Sequence, residues 1–141
     1  MNLATKLKIS KSVHQQILEA FNLKQEDGGI LGIKDGVISS FCFDQGNDHD
    51  AYTINVIKFS EQLEKWEKEG IAFAGFIHSH VVGEIGEPSI RDFTYVKKFM
   101  SKNDWLEELL FPIVYQKDDQ KVIQFYLFKN NEFNKLDYIV V

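Results

Sequence analysis

Two histidines separated by one residue, His78 and His80, are the side chains in this sequence best suited to chemistry. On an extended chain, residues two apart point to the same face, so both imidazoles can bind one metal ion. They follow the continuously apolar run 71–77, which is typical of a strand buried on both faces. The pair therefore predicts a metal site at a strand end, with a spacing that suits zinc.

Two carboxylates complete this hypothesis. Asp92 lies one turn into a helix predicted to begin at Ser89, and from there its carboxylate can return toward the strand end. Two imidazoles and one carboxylate leave an open coordination position for water, as catalytic zinc sites require. Glu26, beside Gly28 and Gly29, is the candidate base that accepts the proton of this water and passes it to a leaving amine.

The elements that must position these residues alternate between helix and strand patterns. Apolar stripes predict three helices, over 12–21 with a capping box of Ser12 and Gln15, from Val56 to a stop at Gly70, and from Ser89 through Met100. Strands are predicted at 30–33 and 37–43 around an Asp35-Gly36 hairpin turn, and at 52–54, 71–77, 111–115, 122–128 and 138–141. The polar stretch 44–50 is a predicted loop. We expect an α/β (α+β) fold with a mixed central sheet flanked by about three helices.

Composition limits the possible classes of protein. The 141 residues, 44% of them hydrophobic, are enough for one well-packed domain, which we expect to span 1–141. The net charge of −5 is spread along the chain, which argues against nucleic acid as a partner. Without an apolar leader or a run of about 18 apolar residues, we expect a cytoplasmic protein that does not engage a membrane. The single cysteine, Cys42, rules out zinc sites built on several cysteines within one chain.

These motifs bring a family resemblance. A Glu ahead of the Gly-rich run 28–32, then His78-Ser79-His80, then Ser89 and Asp92, resembles the JAMM (JAB/MPN) metalloproteases, in their prokaryotic-type form. The pattern of that family is a Glu before a Gly-rich strand, H-[ST]-H, a short loop and S-x-x-D. Two departures fall in the loop 81–88, which has Val81 where the family usually has Pro, and eight residues where it usually has seven.

The resemblance implies roles for individual residues. His78, His80 and Asp92 would bind one Zn²⁺ per chain, Glu26 would hold and deprotonate the catalytic water, and the Ser89 hydroxyl would steady the oxyanion. The implied fold is a single JAB/MPN domain, similar to that of the cytidine deaminases. The implied activity is hydrolysis of an amide bond at the extended C-terminal tail of a ubiquitin-like or sulfur-carrier-like protein.

Other families with a His-x-His motif fit this chain less well. An amidohydrolase barrel needs roughly 250 residues, and metallo-β-lactamases carry an acidic residue where Val82 stands. A cytidine deaminase needs two cysteines for its zinc, and this chain has only Cys42.

Several residues have alternative interpretations. Ser89 and Asp92 would also form an ordinary capping box at a helix start with no metal nearby. Glu84 and Glu87 in the loop are alternatives for a fourth ligand or the base. His14 and His49 are isolated histidines, which more often have no specific role than bind a metal. Cys42 lies in an apolar run without a base partner, which is typical of a small core residue and not of a nucleophile.

Two other functions stay open at this point. Some members of the family have lost their ligands and serve as non-catalytic scaffolds, a role that the intact His78, His80, Asp92 and Glu26 argue against. A DNA-repair-associated relative of the same fold is the other alternative, and the acidic charge disfavours it.

Overall fold

The protein is described by a computed structural model, covering residues 6–46 and 52–141. The three helices of these ranges are α1 (Lys11–Ala20), α2 (Val56–Lys68) and α3 (Ile90–Lys102). The strands are β1 (Leu7–Ile9), β2 (Gly28–Lys34), β3 (Val37–Asp44), β4 (Ala72–Ser79), β5 (Glu108–Leu110), β6 (Ile113–Lys117), β7 (Gln120–Lys129), β8 (Glu132–Leu136) and β9 (Tyr138–Val140). The predicted mixture of helix and sheet is confirmed.

The described strands form one mixed sheet with β4 near its centre. The order is β5-β7-β6-β4-β2-β3-β1-β9, and β8 pairs with β7 beyond this path. Strand β4 runs antiparallel to β2 and parallel to β6. It continues two residues beyond the predicted end at Ile77, so that His78 and Ser79 belong to the strand itself.

The helices cover both faces of the sheet. Helix α1 packs on one face, in a core that contains Val13, Ile17 and Ile77. Helices α2 and α3 cover the other face, in a core that contains Trp66 and Phe76. Because side chains alternate along a strand, Phe76 and Ile77 lie on opposite faces. No helix of the described ranges has the length and apolarity needed to cross a membrane.

The start of α1 differs from the prediction. The N-cap is Ser10, whose Oγ accepts a hydrogen bond from the Val13 N–H at 3.2 Å, and not Ser12. The Ser12 hydroxyl instead accepts a hydrogen bond from the Gln16 side chain, one turn further along the exposed side of the helix. Either serine satisfies the sequence rule for a cap, and the backbone of β1 decides between them by entering the helix at Ser10.

The hairpin of β2 and β3 is confirmed. Asp35 and Gly36 form its turn with φ values of 53° and 78°, which is the backbone conformation that an Asp-Gly hairpin turn requires. The segment 52–54 belongs to no strand of the sheet, so the strand predicted there was wrong. The predicted loop 44–50 lies partly outside the described residues, and Asp44 ends β3.

A single proline explains the largest difference in the strand prediction. Strands β5 and β6 occupy one position in the sheet, in a continuous register in which Leu110 is opposite Gly75 and Ile113 is opposite His78. Pro112 lacks an N–H and interrupts the ladder between them. The predicted strand 111–115 is therefore the middle of a longer, interrupted one. The short strands β1 and β8 were not predicted.

Candidate metal centre

The register of β2 against β4 places Glu26 beside the two histidines. Gly28 is opposite His78, and the Ser79 N–H donates to the Asp27 carbonyl at 2.9 Å. The antiparallel pairing thus continues past the end of β2, and one residue further Glu26 falls opposite His80. Opposite residues of an antiparallel pair point to the same face. Glu26 and His80 therefore share the face of α2 and α3, whereas Ser79 points to the face of α1.

The three predicted ligands converge on one point. The Nε2 atoms of His78 and His80 are 3.1 Å apart. Oδ2 of Asp92 is 3.5 Å from Nε2 of His78 and 3.8 Å from Nε2 of His80. Ligand atoms at about 2.0–2.1 Å from a tetrahedral zinc are about 3.3 Å from one another, so these separations match the edges of such a site. His78, His80 and Asp92 form a group that can hold a metal ion.

A backbone carbonyl sets the orientation of the His80 ring. Nδ1 of His80 lies 2.6 Å from the carbonyl oxygen of Ile85. A carbonyl only accepts hydrogen bonds, so Nδ1 carries a proton, and in the neutral ring Nε2 keeps the lone pair that a metal would bind. Metal-binding histidines usually have such a partner on their second nitrogen. Burial alone would lower the pKa of His80, but the hydrogen bonds with Asp92 and Ile85 outweigh it and raise the pKa.

The ring of His78 is held by packing instead. Its centroid is 4.8 Å from that of Phe111 and 4.9 Å from that of His80. Its Nδ1 is buried without a hydrogen-bond partner among the described residues. A buried polar atom of this kind is costly. Nε2, the other ring nitrogen, faces His80 and Asp92 and is the atom of His78 that can bind a metal.

The carboxylate of Asp92 both caps helix α3 and belongs to the group that can hold a metal ion. The Ser89 N–H donates to Oδ2 of Asp92 at 2.8 Å, and the Asp92 N–H donates to the Ser89 hydroxyl at 3.1 Å. This is the capping box that starts α3. Burial would raise the pKa of Asp92, but hydrogen bonds with His78 and His80 hold it well below its usual range. The capping box and the metal group thus use the same carboxylate, and the two interpretations are compatible.

A cleft of about 250 Å³ opens beside the three ligands. Glu26 and Ser89 line it together with His78, His80 and Asp92, as do Tyr52 and the exposed ring of Tyr95. Burial raises the pKa of Glu26 above its ordinary value of 4.5, although the two histidines oppose this shift. A carboxylate with a raised pKa next to a metal group is suited to accept and release a proton.

The alternative residues take other positions. Oε1 of Glu84 accepts a hydrogen bond from the Val81 N–H at 3.1 Å, so Glu84 lines the cleft outside the metal group. Glu87 lines a separate hollow with Tyr126 and Lys135. His14 lies 3.2 Å from the Tyr138 hydroxyl, on α1. His49 lies outside the described residues.

The thiol of Cys42 fits the structural interpretation. It is half-buried on β3 and packs against the core beneath α2 and α3. Burial raises the pKa of Cys42 above its usual value. A raised pKa keeps the thiol protonated, which is the opposite of what a nucleophilic cysteine needs.

Two features of the site were not found from the sequence. Tyr52, in the wrongly predicted strand, packs over Gly28, where an added Cβ would collide with its ring. The hydroxyl of Tyr52 donates to Asp44 at 2.9 Å, which keeps the ring beside the cleft. The other feature is Ser79, which bonds the backbone on both sides of Glu26. The signal for Tyr52 was the Gly28-Gly29 pair, which leaves space for a close approach.

No protein-family model matches the sequence, and no curated protein matches it significantly. Solved structures do match. Protein DSY2949 from Desulfitobacterium hafniense aligns with a TM-score of 0.70 and 16% identity, over 95% of this chain and 92% of that one. AF2198, a JAB1/MPN domain protein from Archaeoglobus fulgidus, aligns with a TM-score of 0.55 and 18% identity, over 96% of this chain and 99% of that one.

The fold is that of a JAB1/MPN domain. The predicted fold is thereby confirmed. Within this JAB1/MPN fold, the group of His78, His80 and Asp92 lies at the end of β4 and fits a JAMM-like metal site.

Proposed function

We propose that this protein is a zinc-dependent isopeptidase or peptidase. Its substrate would be an amide bond at the extended C-terminal tail of a ubiquitin-like or sulfur-carrier-like protein. The observation that carries the proposal is the convergence of His78, His80 and Asp92 within 4.8 Å of one another, in a cleft that also contains Glu26. Three protein ligands and a neighbouring carboxylate are the components that a hydrolytic zinc site requires.

Bound zinc would supply a Lewis acid that polarises the scissile carbonyl and lowers the pKa of the attacking water. Glu26 accepts the proton of that water and then delivers it to the leaving amine. Burial raises the pKa of Glu26 in the metal-free protein, which makes this carboxylate a stronger base toward the water. Glu26 lies opposite His80 in the strand register, so it approaches the reacting atoms from the β2 side.

Ser89 supplies the hydrogen bond to the oxyanion. Its oxygen accepts the Asp92 N–H at 3.1 Å as the cap of α3. That bond uses a lone pair of the oxygen, so the hydroxyl proton stays available to donate into the cleft. A donor fixed in this way before the reaction stabilises the negative charge that develops on the carbonyl oxygen.

The substrate tail would lie between two segments at the mouth of the cleft. On one side are residues 52–54, and on the other is the loop from Val81, of which Glu84 faces the cleft. The segment 52–54 has no strand partner among the described residues, so we expect its amide and carbonyl groups to pair with the peptide. The two segments at the mouth of the cleft would thus determine which partner protein binds, and the metal ligands would determine which reaction takes place.

The test is cleavage of C-terminal fusions by the zinc-loaded protein. Ubiquitin-like and sulfur-carrier-like proteins carrying a short C-terminal extension are incubated with wild type and with Glu26→Gln, and the products are measured by mass spectrometry. We expect cleavage after the tail by wild type, and a loss of at least about a hundredfold in kcat with zinc retained in Glu26→Gln. Glu61→Gln, at an exposed position of α2 away from the cleft, is the matched control and should keep its activity. Absence of cleavage by wild type on every fusion and tailed peptide would favour a binding scaffold.

A further inference from the structure

We infer that Ser79, the residue between the two histidines, is a positioning residue that fixes Glu26 relative to the metal group. This rests on the proposed function in so far as Glu26 is the base. Ser79 is fully buried and points away from the cleft, toward the face covered by α1. It therefore acts through the backbone of the β2 side and not on the substrate.

Three hydrogen bonds join Ser79 to the two neighbours of Glu26. The Asp27 N–H donates to Oγ of Ser79 at 3.0 Å, and Oγ in turn donates to the Gln25 carbonyl at 3.3 Å. The Ser79 N–H donates to the Asp27 carbonyl at 2.9 Å. The backbone is thus held immediately before and immediately after Glu26, by one side chain of the strand that carries both histidines.

A buried carboxylate holds the same segment from its other side. Asp27 is 1% exposed, and its Oδ1 accepts hydrogen bonds from the Gly46 N–H at 2.7 Å and from the Gln25 side chain at 2.9 Å. The Gln25 side chain also donates to the Gly46 carbonyl at 2.9 Å. Every polar group of this cluster that is named here has a partner, and such fully paired buried networks make a local geometry rigid.

The three residues of the segment 25–27 therefore have different roles. Gln25 and Asp27 are used for anchoring, so the Cα of Glu26 is fixed while its carboxylate stays available for proton transfer. Ser79 lies on β4 between His78 and His80, so any displacement of the strand moves base and ligands together. Misplacement of a catalytic group by about 1 Å can lower a rate by about a hundredfold. Loss of the Ser79 hydrogen bonds should therefore lower kcat while leaving zinc binding and KM nearly unchanged.

The first test compares Ser79→Ala, Ser79→Thr and the control Ser101→Ala, whose hydroxyl only bonds the Lys98 carbonyl on the exposed side of α3. We expect Ser79→Ala to bind zinc as wild type does, to keep KM within about twofold and to lose roughly tenfold to a hundredfold in kcat. Ser79→Thr restores the hydroxyl and should recover most of kcat, and Ser101→Ala should behave as wild type. An unchanged kcat, or a loss of zinc that parallels the loss of activity, would overturn the inference.

The second test does not depend on activity. Amide hydrogen exchange of the Asp27 N–H is measured by NMR in zinc-loaded wild type, Ser79→Ala and Ser79→Thr. Loss of the Ser79 acceptor should reduce protection at Asp27 by about tenfold or more, with protection of the remaining β2 amides unchanged. Equal protection in wild type and Ser79→Ala refutes the positioning role, even if the protein proves to be a peptidase. If wild type cleaves nothing, the proposed function fails and this exchange still decides whether Ser79 holds the segment.

Gly46→Ala displaces Glu26 without touching Ser79. A Cβ at Gly46 would collide with the Glu26 carbonyl oxygen, so the Glu26 segment and the chain that follows β3 cannot keep their present positions. We expect this variant to reproduce the phenotype of Ser79→Ala, with zinc retained and kcat reduced roughly tenfold to a hundredfold. A Gly46→Ala protein with full zinc and full kcat would contradict the claim that the position of this segment limits the reaction.

Discussion

The two halves of the candidate site are built in different ways. The strand half consists of His78 in β4 and His80 directly after it, with Glu26 opposite, and both histidines are 7% exposed. The helix half consists of Ser89 and Asp92 at the start of α3, where the Ser89–Asp92 hydrogen bonds are exposed. Long-range sheet register positions the first half, and contacts between residues three apart position the second.

This difference predicts how each half responds to change. The strand half is anchored by the core of the sheet, so it should keep its geometry without metal. The helix half is held by a local capping box and by its approach to the imidazoles at 3.5 and 3.8 Å. A metal ion would therefore join a rigid half to an exposed one, and substitutions in the two halves should separate binding from rate.

The largest effect is expected from the strand half, in His80→Ala. This substitution removes one of three protein ligands, and zinc with two ligands binds far more weakly. We expect zinc content by elemental mass spectrometry to fall from about one per chain to near zero, with all hydrolysis lost. His14→Ala, on α1 beside Tyr138, should keep full zinc. A His80→Ala protein that still carries stoichiometric zinc would refute the ligand assignment.

The helix half should separate rate from stability at a single residue. Ser89→Ala and Ser89→Gly both remove the hydroxyl, so each should lower kcat by about 10²–10³, the loss typical of one oxyanion donor. Glycine is tolerated as an N-cap and alanine is not, so urea unfolding should show a loss of about 1 kcal/mol for Ser89→Ala and only a few tenths for Ser89→Gly. If kcat followed stability across the two variants, the hydroxyl would have only its capping role.

The smallest effect concerns the charge of Glu26. Burial raises the pKa of Glu26 in the folded protein, so the folded state binds this proton more tightly than the unfolded state. The stabilising contribution of the protonated form is present at low pH and is lost as the pH rises through the raised pKa. We expect Glu26→Gln to raise the melting temperature of the zinc-free protein near neutral pH, by an amount that shrinks as the pH falls. A lower melting temperature at neutral pH would contradict this sign.

The same carboxylate predicts the pH dependence of hydrolysis. Glu26 must be ionised to accept a proton, so kcat should fall with decreasing pH as this carboxylate becomes protonated. Protonation of the histidines also releases zinc at low pH. Zinc content measured at each pH separates the two causes, and a fall of kcat that follows zinc content at every pH would leave no role for Glu26.

The strand half and the helix half were predictable from the sequence for different reasons. The apolar run before His78 predicted a buried strand, and the i,i+2 spacing put both imidazoles on one face. Ser89 with Asp92 predicted the start of α3, because a capping box depends only on residues three apart. The capping rule predicted the wrong serine at the start of α1, because the path of β1 into the helix makes Ser10 the N-cap and not Ser12.

What the sequence could not predict depends on contacts between distant segments. Glu26 was chosen for its type and its neighbours, but its position opposite His80 follows from the register of β2 and β4. The role of Ser79 is visible only when residues more than fifty positions apart in the chain are paired. The local pattern predicted a strand at Tyr52, but its ring instead packs in the space above Gly28.

Zinc titration of the metal-free protein, followed by calorimetry and by NMR of the imidazole groups, tests the central claim most directly. We predict one zinc per chain, as in other sites with three protein ligands. The resonances of His78 and His80 should shift on binding, and those of His14 should not. Binding that leaves the His78 and His80 resonances unchanged, or no binding at all, would contradict the account.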